Sequence, residues 1–443
     1  MRIQLSDHFT YKKLLRFVLS PILMMIFTSI YGVIDGLFIS NFVGEDAFAA
    51  VNLIMPVLMI MGSIGFMIGT GGTAIVSKLL GEGDKENANR YFSLFIFVTV
   101  IGGVFFAVLG EILIPYIPKW LNASENTYGY CVLYGRILLA AMPAFMLQNV
   151  FQAFFSTAEK PMLGFIVTAI AGCTNILLDG VLVGAVNFGV TGAAVATLAS
   201  QVVGAVLPIF YFSIKNNSLL RLGKPKFKWK VLLDACTNGS SEFVNNISSS
   251  IVSIVFNYQL IRLVGDMGVS AYGVLMYVNF IYFSIFIGYS IGVAPLIGYN
   301  YGADNREELK NIFRKSVIIV EVFGVLMTAL ALGLAYPISW LFVRKDAALL
   351  EMTENAFYVI SYMFIFAGFS VFSSSMFTAF GNGLISALIS FLRTIVFQIA
   401  AVLILPIWFG LKGVWVAALI PEVLAMLTSL LFVILKRKKY GYA

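Results

Sequence analysis

The chain has 443 residues, of which 60% are hydrophobic and only 12% are charged, and its formal net charge is +7. Soluble proteins carry roughly a quarter charged residues, so this composition excludes a water-soluble globular protein. The positive charge could indicate nucleic acid or anionic lipid as a partner.

Twelve apolar runs predict an all-α integral membrane protein, because each run can cross a hydrocarbon core about 30 Å thick. The runs lie at residues 14–40, 47–76, 91–115, 127–155, 161–184, 190–214, 231–261, 270–299, 311–341, 348–380, 384–408 and 412–435. The first run is too long for a signal-peptide core, so it is predicted to be an uncleaved first helix.

The distribution of basic residues predicts the orientation. Twelve crossings place both termini on one side, and the segments on that side hold 22 of the 29 Lys and Arg residues. Arg393 lies inside a run, and the other side holds six: Lys119, Arg136, Arg262, Arg344, Lys345 and Lys412. The positive-inside rule therefore predicts that both termini are cytoplasmic. It also explains the charge of +7 without a nucleic-acid partner.

Three motifs recur at a single offset of 221 residues, which indicates an internal duplication. The pairs are Val43-Gly44-Glu45 with Val264-Gly265-Asp266, Gly81 with Gly302, and FGVTGAAVA from Phe188 with FGLKGVWVA from Phe409. Because six helices per half is an even number, we expect two lobes related by a pseudo-two-fold axis along the membrane normal. The predicted lobes are residues 1–214 and 231–443, and residues 215–230 form a cytoplasmic linker.

Ionisable side chains inside the apolar runs are the candidate functional groups. A charge at bilayer depth costs on the order of 3 kcal/mol, so it normally faces a cavity or a partner. The clearest cases are Asp35, Asp179, Glu242, Glu321, Arg393 and Glu422.

Four of the polar residues in the first lobe are predicted to meet. Asp35, Asp179 and Thr197 each lie roughly 8–10 Å below the outer surface at 1.5 Å per residue. Asn175 precedes Asp179 by four residues and shares its helix face. Their oxygens could bind Na⁺, or the two carboxylates could repel each other so that one carries a proton. The alternative is four unrelated groups, each satisfied by backbone or water.

Arg393 and Glu242 allow two interpretations. They could form a buried ion pair, which we favour, or Arg393 could meet an anionic part of a substrate. Catalysis is not supported, because the only histidine, His8, lies in the amino-terminal tail. No zinc-protease, nucleotide-binding or paired CxxC motif is present in the sequence.

The chain resembles the multidrug and toxic compound extrusion (MATE) family over essentially its whole length. The resemblance is carried by Leu19-Ser20-Pro21, LLGEGDKENANR after the second helix, GVAPLIGYNYGA from Gly292, the FGVTGAAVAT and FGLKGVWVAA pair, and Arg393 before Pro406. The pattern is closest to the bacterial MepA-like and DinF-like branches. It therefore implies a bacterial cytoplasmic (inner) membrane.

The resemblance implies that Asp35, Asn175 and Asp179 form a Na⁺ or proton site, that Thr197 supplies a hydroxyl ligand, and that no other cofactor is needed. The candidate substrate-lining residues are Tyr31, Met55, Gln148, Asn149, Gln152, Glu242 and Arg393. Some relatives carry an acid on the tenth helix, which lacks one here in its central stretch, so we expect coupling to depend on the amino-terminal lobe.

The predicted function is Na⁺- or H⁺-coupled antiport that exports amphipathic, cationic drugs or metabolites by rocking of the two lobes. A monomer in membrane lipid suffices, because the cavity lies between lobes of one chain. One alternative is a flippase for a lipid-linked precursor from the same superfamily, although such proteins usually have about fourteen helices and basic cavities. The remaining candidate functions are a membrane-embedded enzyme and a passive channel.

Overall fold

The computed structural model describes residues 3–121, 123–344 and 346–442, without the side chains of Glu45 and Asp266. The predicted roles of Glu45 and Asp266 in the repeat, and of Arg2 and Lys345 in the charge distribution, lie outside the described residues. Within that part of the chain every regular element is helical.

Ten helical segments precede the last long helix. They are α1 Tyr11–Val43, α2 Asp46–Gly81, α3 Lys85–Leu113, α4 Glu125–Ala140 with Met142–Thr157, α5 Pro161–Ala185, α6 Gly189–Ser213, α7 Trp229–Val264, α8 Met267–Gly302, α9 Arg306–Gly333 and α10 Ala347–Ile360 with Met363–Ala379. The two paired segments, α4 and α10, bend by 57° and 52°. Short helices, Ile117–Trp120 and Ala335–Val343, precede them.

The last helical stretch, Gly383–Tyr440, contains two crossings. Gly410 has non-helical angles (φ 55°, ψ −136°) within it. Arg393 and Glu422 would be about 43 Å apart along a straight helix, yet Arg393 Nε lies 2.9 Å from Glu422 Oε2. The chain therefore turns back at Gly410, and we label residues 383–409 α11 and residues 411–440 α12. With this hairpin, the described residues form twelve helices long enough to cross a membrane, as predicted.

One predicted run was too long. The run at 311–341 is divided between α9, which ends at Gly333, and the helix Ala335–Val343. Gly333 and Pro337 flank the break, and both residue types favour helix ends.

The two halves meet symmetrically where α2 and α8 end. A Cβ atom added to Gly81 would collide with the carbonyl oxygen of Tyr299, and one added to Gly302 would collide with that of Lys78. Tyr299 and Lys78 are themselves 221 residues apart. Since equivalent ends of equivalent helices meet, the halves have the same orientation, as a two-fold axis along the helix bundle requires.

A second pair of contacts follows the same symmetry. Gly71 of α2 lies against the backbone of Ala235 in α7, and Gly292 of α8 lies 3.0 Å (from an added Cβ) from Val18 of α1. Helices α1, α2, α7 and α8 therefore form the interface between the halves. The glycines allow backbones to approach closely there.

Both chain termini lie at the end of the bundle where Gly81 and Gly302 meet, which we call the termini end. The Nδ2 of Asn300 near the end of α8 donates to the carbonyl of Leu5 (3.5 Å). The ring of Tyr440 packs against Tyr301 with a centroid distance of 5.8 Å.

An amino-terminal strap, residues 3–10, joins the two halves at this end. Leu5 and Phe9 are fully buried. The Leu5 N–H donates to Glu159 Oε1 between α4 and α5 (2.9 Å), and the Phe9 N–H donates to Glu308 Oε1 in α9 (2.9 Å). His8 Nδ1 lies 2.6 Å from Glu308 Oε2. The strap therefore contacts the amino-terminal half at one carboxylate and the carboxyl-terminal half at another.

The predicted linker, residues 215–230, lies along α3 at the same end. The Arg221 N–H donates to Asn89 Oδ1 (2.6 Å), the Gly223 N–H donates to Ser93 Oγ (2.9 Å), and Leu220 is fully buried. The segment before α7 thus binds the amino-terminal half, much as the strap before α1 binds the carboxyl-terminal half.

Candidate functional site

Asp35 and Asp179 each lie beside a π-helical turn. α1 ends in the π turn Ile39–Val43, four residues after Asp35, and Asp179 begins the π turn Asp179–Ala185 that ends α5. Such turns widen the helix and are frequent at functional sites. Both carboxylates therefore project from helices whose regular hydrogen bonding changes close to them.

The structure brings the four predicted residues of the amino-terminal half together, and we call them the carboxylate cluster: Asp35, Asn175, Asp179 and Thr197. The Asp35 carboxyl interacts with the side chains of the other three. Asn175 Nδ2 lies 3.4 Å from Thr197 Oγ1, to which it donates. Asp179 is fully buried and Asn175 is 1% exposed.

Four acceptor oxygens of this cluster are buried without a hydrogen-bond partner among the described residues. They are Asp35 Oδ1, Asn175 Oδ1, Asp179 Oδ1 and Asp179 Oδ2. Burying an unpaired acceptor is costly, and burying a carboxylate costs more. Because Asn175 directs its N–H group at Thr197, its carbonyl oxygen remains available. The cluster is therefore short of donors, and a cation or a proton would supply what it lacks.

The donor set suits a small hard cation better than a transition metal. Two carboxylates, one amide oxygen and one hydroxyl are all oxygen ligands, which suit ions of the Na⁺, Mg²⁺ and Ca²⁺ type. In the part of the chain that the structure describes, no group of three or more His, Cys, Asp or Glu side chains could hold a metal ion.

Tyr134 of α4 joins the carboxylate cluster, and the sequence reasoning missed it. Its side chain is fully buried, and its hydroxyl has no hydrogen-bond partner of standard geometry among the described residues. The hydroxyl faces Thr197 and lies close to both aspartates. No signal marked this tyrosine, because the chain has 20 and a hydroxyl causes no conspicuous cost in an apolar run.

The predicted substrate-lining residues of the amino-terminal half are close to the cluster but mostly buried. Tyr31 lies near Asp35, and its hydroxyl interacts with Gln148. Gln148, Asn149 and Gln152 are 5%, 7% and 5% exposed. Met55 of α2 is half-buried and packs in the apolar core of the same half. A substrate can reach the three α4 amides only after neighbouring helices move.

The predicted ion pair between Arg393 and Glu242 is wrong. Arg393 Nε donates to both carboxylate oxygens of Glu422 (3.0 and 2.9 Å), and its guanidinium lies over the Phe283 ring at 5.3 Å. The hairpin at Gly410 brings α12 beside α11, a contact that sequence spacing cannot show. Since Glu422 neutralises Arg393, the arginine is not free to bind an anionic substrate group.

The carboxyl-terminal half lacks a counterpart of the carboxylate cluster. At the 221-residue offset, the positions equivalent to its two aspartates and its threonine are Phe256, Ala400 and Ala418, and no residue directly beside them is acidic. The buried acceptors are thus confined to one half, as expected from the sequence.

Comparison with known proteins gives matches over nearly the whole chain. The MatE family model matches residues 21–181 and 243–404, one segment in each half. The Multidrug export protein MepA of Staphylococcus saprophyticus is 24% identical over 430 residues, which cover 97% of this chain and 94% of that protein. The MepA protein of Staphylococcus aureus is 25% identical over 433 residues, with the same coverage.

Solved structures share the fold. A crystal structure of MATE in complex with MaL6 superposes with a TM-score of 0.93, at 22% identity and 98% coverage of both chains. The outward-facing conformation of a multidrug resistance MATE family transporter of the MOP superfamily gives a TM-score of 0.92 at the same identity and coverage.

Proposed function

The chain belongs to the MatE family, and on that basis we propose that it is a cation-coupled antiporter that exports amphipathic, cationic small molecules across a bacterial cytoplasmic membrane. It is a transporter rather than an enzyme. The single observation that carries the coupling mechanism is the carboxylate cluster, whose four unpaired, buried oxygens require a cation or a proton.

Ion binding changes the charge of the cluster, and this change provides the coupling. When the cluster is empty, two buried carboxylates attract positive charge to the amino-terminal half. When Na⁺ or H⁺ enters, the field is reduced and the unpaired oxygens are satisfied. A cationic substrate is then held less strongly near Tyr31 and Gln148, which lie beside Asp35. Exchange follows because ion and substrate compete for the same negative charge.

The contacts between the halves support rocking as the means of access. The close glycine contacts of α2 with α8 lie at the termini end, where the strap also joins the halves. The excess of basic residues at this end supports a cytoplasmic location. In that orientation the described conformation is closed toward the cytoplasm, and export requires these contacts to separate and reform.

Dye efflux from proteoliposomes tests this function directly. We expect efflux under an imposed Na⁺ gradient, an imposed pH gradient, or both. Asp35→Asn and Asp179→Asn should each abolish ion-driven efflux while protein level and helical content remain normal. Glu321→Gln, which removes a carboxylate of α9 outside the cluster, is the matched control and should transport normally. Full efflux in either aspartate variant would reject the mechanism.

A flippase for a lipid-linked precursor is not favoured by the structure. Such a substrate carries phosphate groups and needs basic residues in the cavity. The intramembrane arginine, Arg393, is paired with Glu422, and the cluster beside the predicted cavity is acidic. A lipid-scrambling assay on the same proteoliposomes separates the two functions.

A further inference from the structure

A cavity of about 280 Å³ opens at the termini end, where α2 of one half meets α8 of the other. Lys78 of α2 contributes one wall, and Tyr301, Asp304 and Arg306 of the α8–α9 turn contribute another. Lys439 and Tyr440, at the end of α12, complete it. The cavity therefore has basic side chains from both halves, and the carboxylate cluster plays no part in it.

Aromatic rings hold two of these cations in place. Lys78 Nζ lies 5.6 Å from the centroid of the Tyr301 ring, and Lys439 Nζ lies 5.2 Å from that of Tyr440. Tyr440 is 5% exposed, and its hydroxyl accepts a hydrogen bond from Asn382 Nδ2 (2.8 Å). The two ammonium groups are thus positioned over a fixed aromatic floor, which lowers the entropic cost of binding an anion between them.

The cavity carries more positive than negative charge. Its three cations face one carboxylate of the wall, Asp304, whose Oδ1 lies 3.1 Å from Arg306 Nε. Glu82 Oε1, one turn along α2, lies 3.7 Å from Lys78 Nζ. Lys439 has no carboxylate within 4.0 Å among the described residues. The unneutralised charge makes the cavity suited to an anion.

We infer that this cavity binds a phosphate group, presented by the headgroup of an anionic membrane lipid. Basic pockets between transmembrane helices on the cytoplasmic side are suited to anionic headgroups. A phosphate between Lys78 and Lys439 contacts both halves beside the Gly81–Gly302 crossing. Bound lipid therefore stabilises the conformation that is closed at the termini end. This binding does not depend on the proposed coupling mechanism.

The test compares two variants that remove the same charge from the same end. The first, Lys78→Gln/Arg306→Gln/Lys439→Gln, removes the cations of the cavity. The control, Lys85→Gln/Lys310→Gln/Lys438→Gln, removes three exposed lysines that do not line it. Each protein is placed in nanodiscs of phosphatidylcholine with increasing phosphatidylglycerol. Lipid retention is measured by native mass spectrometry, and Tm is measured by circular dichroism.

We expect phosphatidylglycerol to bind and to raise Tm in the wild type and the control. In the cavity variant we expect binding to weaken roughly tenfold and the Tm gain to disappear. Equal loss in both variants, or equal retention in both, would overturn the proposal. A third arm adds inorganic phosphate to pure phosphatidylcholine nanodiscs. If phosphate alone reproduces the gain in Tm, the ligand is a soluble anion and the lipid source is rejected.

Discussion

Asp35 and Asp179 are 144 residues apart in the chain, yet their carboxyl groups interact inside the amino-terminal half. Three of their four oxygens are buried without a hydrogen-bond partner among the described residues. Two facing carboxylates at bilayer depth repel each other and have lost their hydration, so the pair is stable only when a cation or a proton is shared.

Ion binding should therefore stabilise the fold. A ligand at about 100 times its Kd adds about 2.7 kcal/mol to the free energy of unfolding. We expect the Tm of the purified protein to rise with Na⁺, or with falling pH if the proton is the ion. Asp179→Asn should melt at a higher temperature than the wild type without ion, because the repulsion is gone, and should show no further gain with ion. An unchanged ion response in this variant would contradict the assignment.

Tyr134 should tune the affinity of the cluster for the ion. Tyr134→Phe removes a hydroxyl that faces Thr197, and one hydrogen bond contributes about 0.5–1.5 kcal/mol. We expect the apparent affinity for the coupling ion to fall roughly threefold to tenfold, measured from the ion dependence of efflux, with normal helical content. Tyr130→Phe, on the same helix but 38% exposed, is the control. Equal effects of the two changes would argue for a general packing role.

The Arg393–Glu422 pair should stabilise the hairpin of α11 and α12. Removing one partner of a buried ion pair leaves an uncompensated charge and costs about 3–5 kcal/mol. Arg393→Met and Glu422→Leu should each lower Tm strongly, whereas the double variant should recover most of the loss. A double-mutant cycle on the free energy of unfolding measures this coupling. Additive effects would show that the two side chains do not act as a pair.

Closure at the termini end should depend on Gly81 and Gly302. Each alanine substitution places a methyl group where a carbonyl oxygen of the other half already lies, so the helices must separate. We expect Gly81→Ala and Gly302→Ala to increase the distance between spin labels placed on the two halves at this end. Gly129→Ala is the control, because nothing lies within 4 Å of its added Cβ. Unchanged label distances in the first two variants would show that the crossing is not tight.

The amino-terminal strap should contribute to the same closure through Glu308. Its carboxylate binds His8 and the Phe9 N–H, and hydrogen bonds to a charged group contribute about 1.5–3 kcal/mol. We expect Glu308→Gln to lower Tm and to expose residues 3–10 to proteolysis. Glu307→Gln, at the exposed neighbouring position, should change neither. A strap that stays protected in Glu308→Gln would show that apolar burial of Leu5 and Phe9 is sufficient.

Most of the architecture could be predicted, because it depends on properties local in the chain. The length of an apolar run determines whether it can span a bilayer, and the 221-residue offset is visible without any contact. The boundaries were less accurate where a helix breaks: the run at 311–341 contained a helix end that Gly333 and Pro337 cause. The depth of Asp35, Asp179 and Thr197 could be counted along each helix, so the sequence indicated that they could meet.

The sequence by itself determined the number of crossings, the duplication and the level at which the acidic residues of the first half lie. Only the tertiary structure decided which side chains share that level as neighbours. It placed Tyr134 beside Thr197 and paired Arg393 with Glu422 instead of Glu242. The physical reason is that depth along a helix follows from residue number at 1.5 Å per step, whereas the direction in which a side chain points across the bundle depends on how distant helices rotate and pack.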